Sequence, residues 1–124
     1  MSYRGQQHNE IFALATKNRP NSSYRYLSVI YLLTANKRLW NRSKKAVFSN
    51  SVDFSEINCA GLEPETYTLL TTAKDFDNDD GNLTVADLAN KEIISAKLFS
   101  IICTAISICR YGLNYHDKNN MISK

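Results

Sequence analysis

Two stretches of this 124-residue chain carry side chains whose types and spacing suit chemistry. The first is acidic: residues 74–87 read KDFDNDDGNLTVAD. An acidic loop between two helices is the EF-hand arrangement, which takes Ca²⁺ on oxygen ligands at loop positions 1, 3, 5 and 12, with Gly at 6 for the sharp turn. Counting from Asp75 puts Asp75, Asp77 and Asp79 at the first three ligand positions, but Asp80 where Gly belongs and Ala86 at the last. Counting from Phe76 sets Asn78, Asp80, Gly81 and Asp87 correctly and leaves a phenyl ring at position 1. Neither register is complete. The metal candidates are therefore Asp75, Asp77, Asp79, Asp80 and Asp87, and a solvated acidic turn leading into a helix cap is the plainer reading.

The second stretch is basic, NKRLWNRSKK over residues 36–45. On a helix Arg38, Arg42 and Lys45 share one face, with Lys37, Asn41 and Lys44 running beside it. Such a face suits phosphates or an acidic protein surface, and Trp40 with Tyr24, Tyr26 and Tyr31 would offer stacking surfaces for bases. Alternatively the aromatic rings belong to the core and the cations face water or the acidic half of the chain.

Catalysis finds little support. His8 and His116 lie near the two ends, in segments expected to be mobile, with no nucleophile nearby in sequence. No Gly-rich phosphate loop, H-E-x-x-H or G-x-S-x-G occurs. Cys103 and Cys109 stand six residues apart, which turns them to different faces of one helix. With Cys59 they make an odd set without C-x-x-C spacing, expected as buried thiols in a reducing cytosol. Glu63 and Glu65 flank Pro64 where a helix would start, and the helix dipole accounts for them.

The net charge of +3 hides a segregation. Residues 1–48 hold nine Lys or Arg against Glu10, or +8; residues 49–92 hold ten acids against two lysines, or −8; the rest carries +3. That pattern bears on partners and on internal docking, not on fold. The two halves either neutralise each other, associate between copies, or leave one sign for a partner.

These side chains need elements to place them. The length suits one domain, and 44% hydrophobic with 22% charged residues suits a globular one. Four Gly and two Pro are too few for a many-turned β-sandwich. Asn9 is expected to cap a first helix carrying Ile11, Phe12 and Leu14, followed by a turn over residues 18–21. Ser22 or Ser23 caps a second helix with Tyr26, Val29, Ile30 and Leu33 at helical spacing, stopping at Asn36. Residues 37–48 form a short basic helix with Leu39, Trp40 and Val47 to pack. Val52, Phe54 and Ile57 suggest a pinned loop or a short strand. Pro64 starts a helix carrying Tyr67, Leu69, Leu70 and Ala73, then a polar loop spans 75–82. Thr84 and Asp87 have capping-box spacing. Asn90 would cap a long last helix, Lys91 to Tyr111, closed by Gly112. Its rows Ile94, Leu98, Ile101, Ala105, Ile108 and Phe99, Ile102, Ile106, Cys109 make it apolar over much of its circumference, as a central helix would be. The apolar run 93–109 is 17 residues long and broken by Lys97, short of a membrane span. No apolar run follows Arg4, so no secretory signal is expected.

Two stretches, YLLTANKRLW…VDFSEI and LLTTAKDFDNDDGNLTVADL…AISICRYG, resemble a family of small uncharacterised Firmicutes proteins, a domain of unknown function often carried on phages and integrative elements. The likeness runs from about residue 8 to 112. It implies an all-helical cytoplasmic accessory protein and supplies no catalytic residues; a mobile-element origin would suit a regulator or inhibitor of host nucleic-acid or defence machinery, such as an anti-CRISPR.

The expectation is thus an all-α single domain over residues 8–112, about five helices around a long apolar C-terminal helix, with flexible ends at 1–7 and 113–124. It is expected to be a non-enzymatic, cytoplasmic interaction protein that meets another protein or a nucleoprotein complex, not a membrane, and that self-associates if the opposite charges pair between copies. Its docking residues would be Lys37, Arg38, Asn41, Arg42, Lys44 and Lys45, or the acidic loop. The alternatives are direct nucleic-acid binding by the same basic face and a helical Ca²⁺-binding domain.

Overall fold

A computed structural model describes residues 2–17, 22–79 and 81–113, with side chains from residue 7 onward. Through the described residues run six α-helices: α1 (Ser2–Thr16), α2 (Tyr24–Leu33), α3 (Lys37–Ser43), α4 (Pro64–Asn78), α5 (Val85–Ala89) and α6 (Ala96–Tyr111). Two 3-10 turns, Lys44–Ala46 and Phe54–Glu56, interrupt the connection from α3 to α4. Among the described residues there is no strand, only an antiparallel bridge between Val47 and Val52. The helices share one core.

Local chemistry explains most boundaries. Ser23 accepts from the Tyr26 N–H and starts α2, Asn36 accepts from Leu39 and starts α3, and Thr84 with Asp87 closes a capping box at α5. Pro64 occupies the first turn of α4, where its missing N–H costs nothing. Gly112 ends α6 at φ 78° and ψ −174°, a region open essentially to glycine alone, with the Tyr24 ring lying where a Cβ would project.

Several expectations need correction. The first helix starts at Ser2, so Asn9 lies inside it and caps nothing, and the helical backbone covers residues expected to precede it. The last helix starts at Ala96 with Ser95 as its cap; Asn90 instead accepts from the Glu92 N–H in the preceding turn. α4 runs on to Asn78, so Asp75 and Asp77 are helical, and the loop begins only at Asp79, which takes the left-handed conformation. The basic segment is helical only to Ser43 before it tightens. The 52–57 stretch is a pinned loop: Val52 and Ile57 are buried and Phe54 packs against the core. The expected turn at 18–21 and most of the expected tail from 113 lie outside the described residues.

The largest correction concerns the centre. α2 packs against both α4 and α6, while those two scarcely meet, and α1 also lies on α2. Seven of its ten residues are buried, against four of sixteen in α6. Phe99 and Ile106 of the expected second apolar row stay 45% and 42% exposed, so α6 is a flank of the bundle and α2 its hub. The polar side chains that α2 buries hydrogen-bond within their own helix: Ser28 Oγ donates to Arg25 O and Thr34 Oγ1 to Ile30 O.

Candidate docking face and polar cleft

α3 is anchored through Leu39 and Ser43, both buried, with Trp40 half-buried against the core. Ser43 donates its hydroxyl to Leu39 O, leaving no polar atom idle on that side. Lys37, Arg38 and Asn41 are consequently turned to solvent, and Lys44 and Lys45 follow in the exposed 3-10 turn. None of these four cations has an ion-pair partner among the described residues. The segregated charge of the sequence is therefore not spent by these side chains on the acidic half.

Arg42 departs from the expected face. Its Nη1 donates to Asn58 O at 2.9 Å and to Ala60 O, so it latches the loop before α4 to the end of α3. Together with the change of helix type at Lys44, this breaks the expected row of Arg38, Arg42 and Lys45. The aromatic residues also do other work. Tyr26 is buried and donates its hydroxyl to Phe48 O. Tyr31 packs its ring on His8, centroids 4.1 Å apart, and on the edge of Phe12, and its hydroxyl meets Thr104. Burial raises the Tyr31 pKa, and the Thr104 contact offsets part of that rise. Tyr24 lies against Gly112. Trp40 is thus packed on the core and Tyr26 and Tyr31 are engaged elsewhere, so these rings do not serve the basic face as stacking partners for bases.

Beside Lys37 and Arg38 opens a cleft of about 300 Å³, walled by α1 (Gln7, His8, Ile11), the α2–α3 junction (Thr34 to Arg38) and the start of α4 (Glu63, Thr66). His8 is its most constrained wall. Nε2 lies 2.8 Å from Tyr31 O at the end of α2, a carbonyl that the Ala35 N–H forgoes for Leu32 O and that the Thr34 hydroxyl also reaches at 3.1 Å. A carbonyl can only accept, so Nε2 carries the proton and the neutral ring offers its Nδ1 lone pair. Burial pulls the His8 pKa below its ordinary 6.5, and the bond to Tyr31 opposes part of that shift. Sequence reasoning set His8 aside as terminal. Its spacing from Ile11 and Phe12, three and four residues, was the available sign that it shares their inward face.

The acidic residues do not converge. Asp75 spends both oxygens on the chain that follows, accepting from Asn82 N–H at 2.8 Å and Leu83 N–H at 2.7 Å. Asp87 is held by the capping box and Asp79 by its helix-terminating conformation; Asp77 stays helical and half-buried, and Asp80 lies outside the described residues. Among the described residues no three His, Cys, Asp or Glu side chains gather as a metal would need. Cys59, Cys103 and Cys109 are free thiols, half-buried where full burial was expected. His116 lies outside the described residues. No described helix is long and apolar enough to cross a membrane.

No protein-family model, curated protein or solved structure matches the chain. The likeness to the Firmicutes family rests on the quoted stretches alone.

Proposed function

We propose that this protein is a non-enzymatic interaction module that holds an anionic surface of another protein or nucleoprotein against Lys37, Arg38, Lys44 and Lys45. In keeping with its likeness to proteins of mobile elements, it would act as a regulator or inhibitor of host nucleic-acid or defence machinery. One observation carries this reading. Four exposed cations without partners stand on a segment fixed from beneath by Leu39 and Ser43 and from the side by the Arg42 latch. Cations on a fixed backbone lose less entropy on docking than cations on a loose tail, and they mainly raise the association rate.

The test is capture of partners by the wild-type chain and by a variant with Lys37, Arg38, Lys44 and Lys45 all changed to Glu. Exposed pairs contribute about 0.2–1 kcal/mol each, so four lost contacts amount to roughly 2 kcal/mol, or about 30-fold in affinity, before repulsion is added. Loss of the wild-type partner in the variant supports the reading, and an unchanged set of partners refutes it. Mobility shift with duplex and single-stranded DNA and RNA at two salt concentrations decides the rival. Steeply salt-dependent binding of naked nucleic acid, abolished in the same variant, would make nucleic acid the partner.

A further inference from the structure

The cleft beside α3 contains groups that the fold leaves open. Thr66 is 3% exposed, lines the cleft and has no hydrogen bond from its hydroxyl to any described residue. Among the described residues the side-chain oxygen sealed in protein without a partner is Ser22 Oγ, so the Thr66 oxygen keeps some surface, and the opening that Thr66 lines is this cleft. His8 is 8% exposed, and its Nδ1, opposite the bond to Tyr31, likewise has no described partner. α4 is fifteen residues long and starts without a capping side chain. Pro64 has no N–H, so the open first-turn amide that belongs to a cleft-lining helical residue is that of Thr66. Lys37 and Arg38 add to the lining two cations without an ion-pair partner among the described residues.

Donors outnumber acceptors here. The Thr66 hydroxyl and amide, the guanidinium of Arg38 and the ammonium of Lys37 all donate, whereas Glu63 and His8 Nδ1 accept. Charge favours the same sign of ligand: two cations and the positive end of α4, worth about half an elementary charge, stand against Glu63. The geometry points to an oxyanion site that takes inorganic phosphate, its bare oxygens on the Thr66 hydroxyl and amide, its charge balanced by Lys37 and Arg38, and its P–OH donated to His8 Nδ1. The site shares Lys37 and Arg38 with the docking face, whereas Thr66 and His8 take no part in that face.

The proton requirement gives the site selectivity. Inorganic phosphate keeps a P–OH at neutral pH, whereas sulfate has none and presses an oxygen against the Nδ1 lone pair. A phosphate monoester near pH 7 is mostly the dianion and has lost its P–OH as well.

Titration of the full chain with orthophosphate, sulfate and phosphoserine, each to about 20 mM at fixed ionic strength, tests this by calorimetry and by thermal shift. Phosphate should bind at least about tenfold more tightly than sulfate or phosphoserine, the cost of setting an acceptor against an acceptor. Thr66→Val should weaken phosphate about tenfold or more while leaving the phosphate-free melting temperature level or higher, since it removes a hydroxyl that lacks a partner. Exposed Arg38→Gln should weaken it severalfold, and Glu63→Gln should tighten it by about two- to fivefold. Absence of phosphate binding in the wild type, sulfate or phosphoserine binding as tightly as phosphate, or an unaltered affinity in Thr66→Val would each overturn the assignment. A charge reversal at Lys44 and Lys45 alone should spare phosphate while impairing partner capture, so the two readings fail separately.

Discussion

Acidification should loosen α1 from the rest of the molecule, and His8 should be the cause. α1 lies on α2 and is held there by the buried Phe12, by the His8 bond to Tyr31 O and by the contacts of both rings with Tyr31. A neutral hydrogen bond contributes about 1 kcal/mol and each ring pair about 0.5–1.5 kcal/mol, so a loss near 1 kcal/mol is a large share of the docking energy. Burial holds the docked His8 pKa below 6.5, while the undocked helix returns it to the ordinary value. The undocked state therefore binds the proton first as pH falls. Docking is at full strength above about 6.5, weakens below it toward the depressed docked pKa, and then levels off, with a slope of at most about 1.4 kcal/mol per pH unit. Hydrogen exchange at pH 7.5, 6.5 and 5.5, corrected for intrinsic rates, reads this through peptides covering residues 7–17 and 24–33. Protection over 7–17 should fall by about fivefold between the extremes, the equivalent of 1 kcal/mol, and more than over 24–33. His8→Gln keeps an N–H donor of similar reach that does not titrate, and its protection should be flat. His116 is present in both chains and cancels. An equal acid response in His8→Gln, or a flat wild type, refutes the reasoning.

Other perturbations test separate joints. Arg42→Ala should cost about 2 kcal/mol in urea unfolding, since it removes charge-assisted bonds to Asn58 O and Ala60 O and leaves those carbonyls to solvent. Gly112→Ala should lower stability by about 1–3 kcal/mol because its backbone conformation excludes side chains; adding Tyr24→Ala should recover only the part due to the ring, 2.6 Å from the new Cβ, as a double-mutant cycle would show. Asp75→Asn should cost about 1 kcal/mol by weakening the bonds to Asn82 and Leu83, and millimolar Ca²⁺ should leave the melting temperature of the wild type unchanged because that carboxylate is already engaged.

What the sequence made legible was local. Ser23, Pro64, the Thr84–Asp87 pair and Gly112 mark their helix ends through neighbours within a few residues, and the structure uses each of them there. Asn90 and Ser95 are both competent caps, and the choice between them is tertiary. Ser95 Oγ also donates to Glu65 Oε2, thirty residues away, and Ile94 is buried in the turn before α6. The hub was misjudged for a similar reason. Periodicity shows that α2 and α6 are both broadly apolar, but which one receives neighbours on two sides depends on how α4 and α1 return. Arg42 and His8 were misread because their partners stand sixteen or more residues away, at carbonyls that no side-chain pattern reveals.

The charge segregation takes on a direction once these hydrogen bonds are counted. In the acidic half, Asp53 accepts from Ser55 N–H, Glu65 from Ser95, Asp75 from Asn82 and Leu83, and Asp87 from Thr84 N–H. The lone pairs of these carboxylates are directed into turns and helix starts, where N–H and O–H donors meet them. In the basic half only Arg42 is used in this way between residues 37 and 45. Removing one of those acids should therefore register first as lost stability. Removing Lys44 or Lys45 should leave the fold nearly unchanged, within about 0.5 kcal/mol, and register only against a partner. The two halves are equal and opposite in charge but not in role, so a search for the binding partner should begin with anionic surfaces.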